Sequence, residues 1–244
     1  MTDIERHIIE PPQLPLYKSM PVKAVFFDLD GTLVDTAPDF VATANQLIAE
    51  NQLPAIDENA VRNTVSDGSR ALVKLIFDMD ENHADFESNR QRLLTIYGNH
   101  MGNYCELFPS IETLLQKLKQ QRLPWGIITN KPLRFAEPLM AILNLRDKLR
   151  LLLCPDHVSK PKPDPESIYL ACRHIGCDPG EIMYIGDHYR DILCGNNAGC
   201  TTVAAAYGYI KPDDNIQQWQ TDYVVDTVDD IWPIIQKTGK KYGK

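Results

Sequence analysis

Six short apolar runs, spaced along the chain by stretches with helical periodicity, most narrow what this sequence can fold into. The runs are "KAVFFDL", "PWGIITN", "LRLLLCP", "EIMYIGD", "CTTVAAAYG" and "DYVVDT". Each has strand length, and most are apolar throughout rather than at alternate positions, which suits a strand buried on both faces. Between them lie helical segments: "SIETLLQKLKQQRL", "RFAEPLMAILNL", "PDPESIYLACRHIGC" (Pro163 and Pro165 at its start, Gly176 at its end) and "RDILCGNNAG", closing on Gly199. Strands alternating with helices predict an α/β fold, a doubly wound parallel sheet covered on both faces. One long segment interrupts the alternation after the first strand. Residues 39–105 are helical in pattern, more polar, and contain no convincing strand, so they are expected to form a helical cap domain inserted into a core made of 21–38 and 106–237. The first twenty residues, with Pro11, Pro12 and Pro15, read as an extended leader, and 238–244 as a tail.

The apolar runs end in an unusual way. Asp28, Asp30 and Thr32 follow the first, Thr129, Asn130 and Lys131 follow "WGII", and Gly186, Asp187, His188, Arg190 and Asp191 follow "IMYI". A lysine-bearing turn, "SKPKPDP", lies between the last two. In an open parallel sheet, ligands bind beyond the carboxyl ends of the strands. A single acid in such a place, Asp39 or Asp164 for instance, reads as a helix cap or turn residue. Several acids delivered to one rim by separate segments repel one another unless a cation neutralises them. A hard divalent ion with oxygen ligands, Mg²⁺, answers that requirement.

Charge and cysteine usage restrict the partners. The 244 residues carry a formal net charge of −8, which disfavours nucleic acid and anionic membrane as main partners and leaves room for a small anion in a local basic pocket. The 6 cysteines form no CxxC pair and read as buried reduced thiols. With no secretory signal and no run able to span a bilayer, the sequence suggests a cytoplasmic protein. Nothing in it is a coiled coil or an obvious dimer surface, and oligomeric state stays open.

Read in order, "DLDGTLVDT", "ITN", "KPDP" and "GDHYRD" resemble the four motifs of the haloacid dehalogenase superfamily, and the likeness runs from about residue 22 to 236. The resemblance implies a Rossmann-like core with a cap inserted after the first strand, and it implies roles. Asp28 would be the nucleophile that forms an aspartyl phosphate. Asp30 would be the general acid and base. Dehalogenases of the superfamily lack this second Asp and the ion-pumping ATPases carry Thr there, so Asp30 points to a phosphatase or phosphomutase. Thr129 and the backbone of Asn130 would bind phosphoryl oxygens. Mg²⁺ would be held by Asp28, Asp187 and the backbone carbonyl of Asp30, with Asp191 behind them or ligating through water. The family's spacing favours Lys162 as the lysine that binds nucleophile and phosphate together, with Lys160 the alternative. Gly31 and Gly186 would allow tight turning and close approach, and the Thr32 hydroxyl would tie the loop together.

Selection among phosphate monoesters would fall to the cap. Within it, "SDGSRALVKL" offers a helix N-terminus plus Arg70, which either faces the site as an anion-binding corner or is a solvated helix residue. Lys131 and Arg134 would add positive charge at the same rim. Within the superfamily the chain looks like the phosphoglycolate phosphatase group. "WGIITNKPLRFAEPLM", "LLLCPDHV" and "YGYIKPDDNIQQWQTDYVVD" bring it nearer to bacterial enzymes acting on N-acetylmuramic acid 6-phosphate in peptidoglycan recycling. That resemblance makes the muramic acid ester the favoured substrate and 2-phosphoglycolate the alternative. A sugar phosphomutase and a non-catalytic binding module are the remaining readings.

Overall fold

The computed structural model describes residues 21–239; the leader assigned to 1–20 and the tail beyond 239 lie outside the described residues. β1 (Ala24–Phe27) is followed by a two-residue strand, β2 (Val34–Asp35), after which the chain leaves the sheet. Four helices follow, α1 (Ala37–Asn51), α2 (Glu58–Thr64), α3 (Ser69–Phe77) and α4 (Phe86–His100), and the chain returns through β3 (Glu106–Leu107). Helix and strand then alternate: α5 (Ile111–Gln120), β4 (Trp125–Ile128), α6 (Leu133–Ile142), β5 (Leu151–Leu153), α7 (Glu166–Ile175), β6 (Ile182–Gly186), α8 (Tyr189–Ala198) and β7 (Thr201–Ala205). β8 (Tyr223–Val225) and α9 (Ile231–Gly239) complete the described chain.

The strand order is β5-β4-β1-β6-β7-β8, and every pairing in this sheet is parallel. β1 lies at the centre with all four residues buried. Alternate side chains serve opposite faces, as the strand period of two requires. Val25 and Phe27 pack with Met183, Ile185 and residues of α5 and α6 in one core, whereas Ala24 and Phe26 pack with Ile182, Tyr184 and residues of α7 and α8 in another. A strand covered on both faces needs an unbroken apolar run, so the runs were legible as buried strands.

The helices between β2 and β3 carry their own core, built on Leu47, Val61, Leu72, Ile76, Phe86 and Leu93. α1 begins at Ala37, inside the stretch assigned to the sheet domain. The two crossings between the layers were not anticipated as strands. They pair antiparallel, Val34 with Leu107 and Asp35 with Glu106, forming a neck. Asp39 is more than a local cap: it is fully buried, and its carboxylate accepts from the backbone N–H groups of Gly102 and Tyr104, both at 2.8 Å. Asp164 does act locally, accepting from Glu166 N at the start of α7. Cys154, Cys172, Cys194 and Cys200 are buried, and Cys105 and Cys177 are half-buried. Among the described residues no helix is long and apolar enough to cross a membrane.

Candidate active site

β1 and β6 are neighbours, and the chain runs outward from them in opposite directions across the sheet. Their carboxyl ends therefore flank the switch point at which a doubly wound sheet opens a crevice. Asp28 follows β1 directly and Asp187 follows β6 directly, while Asp191 sits one turn into α8. All three are buried, and one carboxylate oxygen from each lies within 4.8 Å of the others.

Lys162 enters this cluster from the loop before α7. Its ammonium is 2.9 Å from Asp28 Oδ1 and 2.7 Å from Asp191 Oδ1, and it also donates to the Ile128 carbonyl and the Tyr184 hydroxyl. Burial pulls an ammonium toward neutrality, but the charges of Asp191 and Asp28 prevail and raise its pKa. Lys160 is exposed, and its backbone N–H goes to Glu166. Asn130 holds the Lys162 backbone from both sides, donating to its carbonyl and accepting from its N–H at 3.0 and 3.1 Å.

Asp187 is fixed by Thr32 Oγ1 at 2.7 Å and by Tyr209 N at 3.0 Å. Ser66 of the cap also reaches it, at 3.3 Å. Burial, then the charges of Asp28 and Asp191, push its carboxyl up to about 7. Burial likewise raises Asp28 despite the neighbouring Lys162. Gly31, at φ +84°, is required here: a Cβ would overlap the Asp187 carboxylate. Gly186 is required for the same reason against Asp191.

Asp30 turns away from the carboxylate cluster. Its Oδ1 accepts from Thr36 Oγ1 at 2.6 Å and from Lys131 Nζ at 2.7 Å. Lys131 is buried, with its ammonium over the rings of Phe40 and Tyr97 at 5.3 and 4.7 Å from their centroids. Those two cap rings are stacked, 4.1 Å apart at 8°. Asp28, Asp30, Thr129 and Asn130 all open onto one cavity of about 530 Å³ between core and cap. Its apolar wall comes from Phe40, Val65, Leu94, Tyr97 and Phe135. Arg70 reaches the cavity edge, but its guanidinium donates to Glu81 at 2.8 Å and is 53% exposed. Arg90, a second cation on the wall, is bound to Glu87. Arg134 and Arg190 line the cavity; Arg134 lies over the Phe135 ring, 4.8 Å from its centroid, and among the described residues neither has a carboxylate partner and the buried Nε of Arg190 has no acceptor.

The profile of the haloacid dehalogenase-like hydrolase family matches residues 25–205, a span that contains every acid and lysine of this centre. The chain belongs to the haloacid dehalogenase-like hydrolases. Within that family it is 46% identical over 207 residues to the N-acetylmuramic acid 6-phosphate phosphatase of Pseudomonas putida, covering 85% of this chain and 93% of that one. It is 37% identical to a phosphoglycolate phosphatase of Xanthomonas campestris, over 86% of this chain and 95% of the relative. The crystal structure of a predicted phosphoglycolate phosphatase from Haemophilus somnus superposes with a TM-score of 0.78 at 28% identity, covering 87% of this chain and 97% of that chain. Membership makes the protein an enzyme, a hydrolase of the phosphatase kind.

For a haloacid dehalogenase-like hydrolase the donor set suits Mg²⁺. Three buried carboxylates face one ammonium, which leaves an excess of negative charge where water cannot screen it. Asp28 Oδ1 and Asp191 Oδ1 share the single Lys162 ammonium, at 2.9 and 2.7 Å. All-oxygen, anionic donors are what a hard divalent ion takes. Several contributors escaped the sequence reading. Tyr184 lies in a strand where any apolar residue would fit the pattern. Tyr209, Ser66 and Thr36 approach from loops, a helix start and the cap, with no period or spacing to mark them. Arg190 is one of several polar residues after β6, and nothing in the sequence assigns it a role.

Proposed function

We propose that the protein hydrolyses a phosphomonoester through an aspartyl phosphate on Asp28, with Mg²⁺ held by Asp28, Asp187 and the Asp30 carbonyl and with Asp191 beside them. The bound ion would neutralise the phosphoryl oxygens and the clustered acids. An Asp28 oxygen attacks phosphorus, the bond from phosphorus to the ester oxygen breaks, and Asp30 gives that oxygen its proton. Water then loses a proton to Asp30 and attacks the acyl phosphate, releasing inorganic phosphate and restoring Asp28. Lys162 holds Asp28 against the incoming dianion, and the Thr129 hydroxyl binds a phosphoryl oxygen. The observation that carries this reading is the division of labour between the two acids. Asp28 belongs to the buried cluster, while Asp30 faces the same cavity from outside it.

The favoured substrate is N-acetylmuramic acid 6-phosphate, in a bacterial cytoplasm. The cavity of about 530 Å³ suits an amino sugar with its side groups better than a two-carbon ester. Arg134 and Arg190, without a carboxylate partner among the described residues, offer cations to the sugar's carboxylate, whereas Arg70 is committed to Glu81. 2-Phosphoglycolate is the second reading, supported by the relatives that carry that name. Phosphate release from both esters with Mg²⁺, side by side, separates them. The expected result is at least about a hundredfold higher kcat/KM for the muramic acid ester, roughly 2.7 kcal/mol of differential transition-state binding. Asp28→Asn should abolish release from either. Preference for the glycolate ester would overturn the substrate, and turnover that survives Asp28→Asn would overturn the mechanism.

A further inference from the structure

A buried lysine on the wall of the cavity needs a reason to be charged. Lys131 has one: its ammonium is bound to Asp30, and the cap's aromatic pair closes over it. Its side chain is 4% exposed. With Asp30 on one side and the rings of Phe40 and Tyr97 on others, little of the ammonium remains for a phosphoryl group. Thr36 and Lys131 both donate to the same oxygen, Asp30 Oδ1, at 2.6 and 2.7 Å. Oδ2 is thereby left as the oxygen to carry the proton in and out of the cavity. Phe40 belongs to α1 and Tyr97 to α4, so both rings are part of the cap, whereas Lys131 belongs to the core. An ammonium under aromatic faces is stabilised by their quadrupoles, and more strongly when desolvated.

We propose that Lys131 is a positioning residue that fixes the carboxylate of Asp30 toward the leaving group, and that the Phe40–Tyr97 pair of the cap holds Lys131 in that position, so that proton transfer becomes efficient when the cap is seated. The inference rests on the reading of Asp30 as the acid and base. It assigns to Lys131 an action through Asp30 instead of direct substrate binding.

Leaving-group dependence separates these roles. An alkyl ester needs its departing oxygen protonated, while p-nitrophenolate leaves without help. Single-turnover phosphorylation of Asp28 would be followed by rapid quench for the preferred sugar or glycolate ester and for p-nitrophenyl phosphate. Lys131→Met should slow transfer from the alkyl ester about tenfold or more, a fraction of what general acid catalysis contributes. Transfer from p-nitrophenyl phosphate should change less than about twofold, and KM for the alkyl ester should hold within a similar factor. Phe40→Leu, which removes one of the two rings over Lys131, should show the same selectivity more weakly. It should add none in the Lys131→Met background, as expected for residues acting through one another. Equal losses on both esters, a loss confined to KM, or additive selectivity in the double variant would each overturn the proposal. Should Lys131→Met fail to fold, Phe40→Leu alone carries the test. A wild-type enzyme inactive on every ester, or an active Asp28→Asn, would instead overturn the phosphatase mechanism, so the two failures are distinct.

Discussion

Asp187 carries the clearest acid–base signature of the site. Burial and the charges of Asp28 and Asp191 raise its carboxyl to about 7 in the metal-free protein. A protonated carboxyl must release its proton to bind a cation, so Mg²⁺ affinity should strengthen as pH rises from 5.5 to 7.5 and level off above that. Isothermal titration in buffers of different ionisation enthalpy should detect proton release at pH 6 and little at pH 8.5. Release that is absent at pH 6 would mean that Asp187 is already ionised. The sign for stability is the reverse of the usual carboxylate. A raised folded-state pKa means that the folded protein binds more protons than the unfolded one, so without metal this group's contribution falls as pH climbs from about 4 toward 7. The main acids were legible in the sequence because each follows an apolar strand, and Lys162 because it stands where the resembled family's motif has its lysine. The partners that set their chemistry were not. Lys131 reads as one more rim cation until the fold brings Phe40 and Tyr97, from two distant helices, over it.

At the level of elements, the neck joins two layers that each have their own core, and Asp39 is its buried fastener. Its two oxygens take the N–H groups of Gly102 and Tyr104, tying the start of α1 to the chain returning from α4. Asp39→Ala strands both donors and should cost about 2–6 kcal/mol, about 1–3 for each unsatisfied group. Asp39→Asn keeps one acceptor and should cost about half as much. Urea unfolding monitored by tryptophan fluorescence would measure both. Equal losses for the two variants would show that the charge, not the acceptor count, stabilises the neck. The long apolar strands were readable because burial on both faces writes an unbroken run. β2 and β3 were not, since two-residue strands are too short to show any period, and the contacts that define them lie more than seventy positions apart.

Across the whole molecule, the cap is held on the core by polar contacts as well as by aromatic packing. Asp67 bonds to His188, at 3.4 Å, and to Lys211, at 2.6 Å, both of which belong to the core. Arg62 of α2 binds Asp35 at 2.9 Å, and Tyr209 donates to the same carboxylate. The hydrogen bond from His188, followed by that from Lys211, lowers Asp67 to about 2, so it remains charged at any pH where the enzyme works. Its contribution is present above about 4 and disappears as pH falls toward 2. Where a cap closes over a site, its opening for substrate entry and product release commonly limits turnover. The Asp67–Lys211 pair is partly exposed, with side chains 27% and 37% accessible, so it is worth only about 0.2–1 kcal/mol. Lys211→Met should therefore raise KM by about 1.4- to 5-fold without lowering kcat, because it weakens the closed state without touching the acids. Salt should mimic it. Raising ionic strength screens a partly exposed pair, so KM of the wild type should climb between low and high NaCl, while that of Lys211→Met should climb less. Identical salt dependence in the two proteins would place the electrostatic control of closure elsewhere, with the Arg62–Asp35 pair the next to vary.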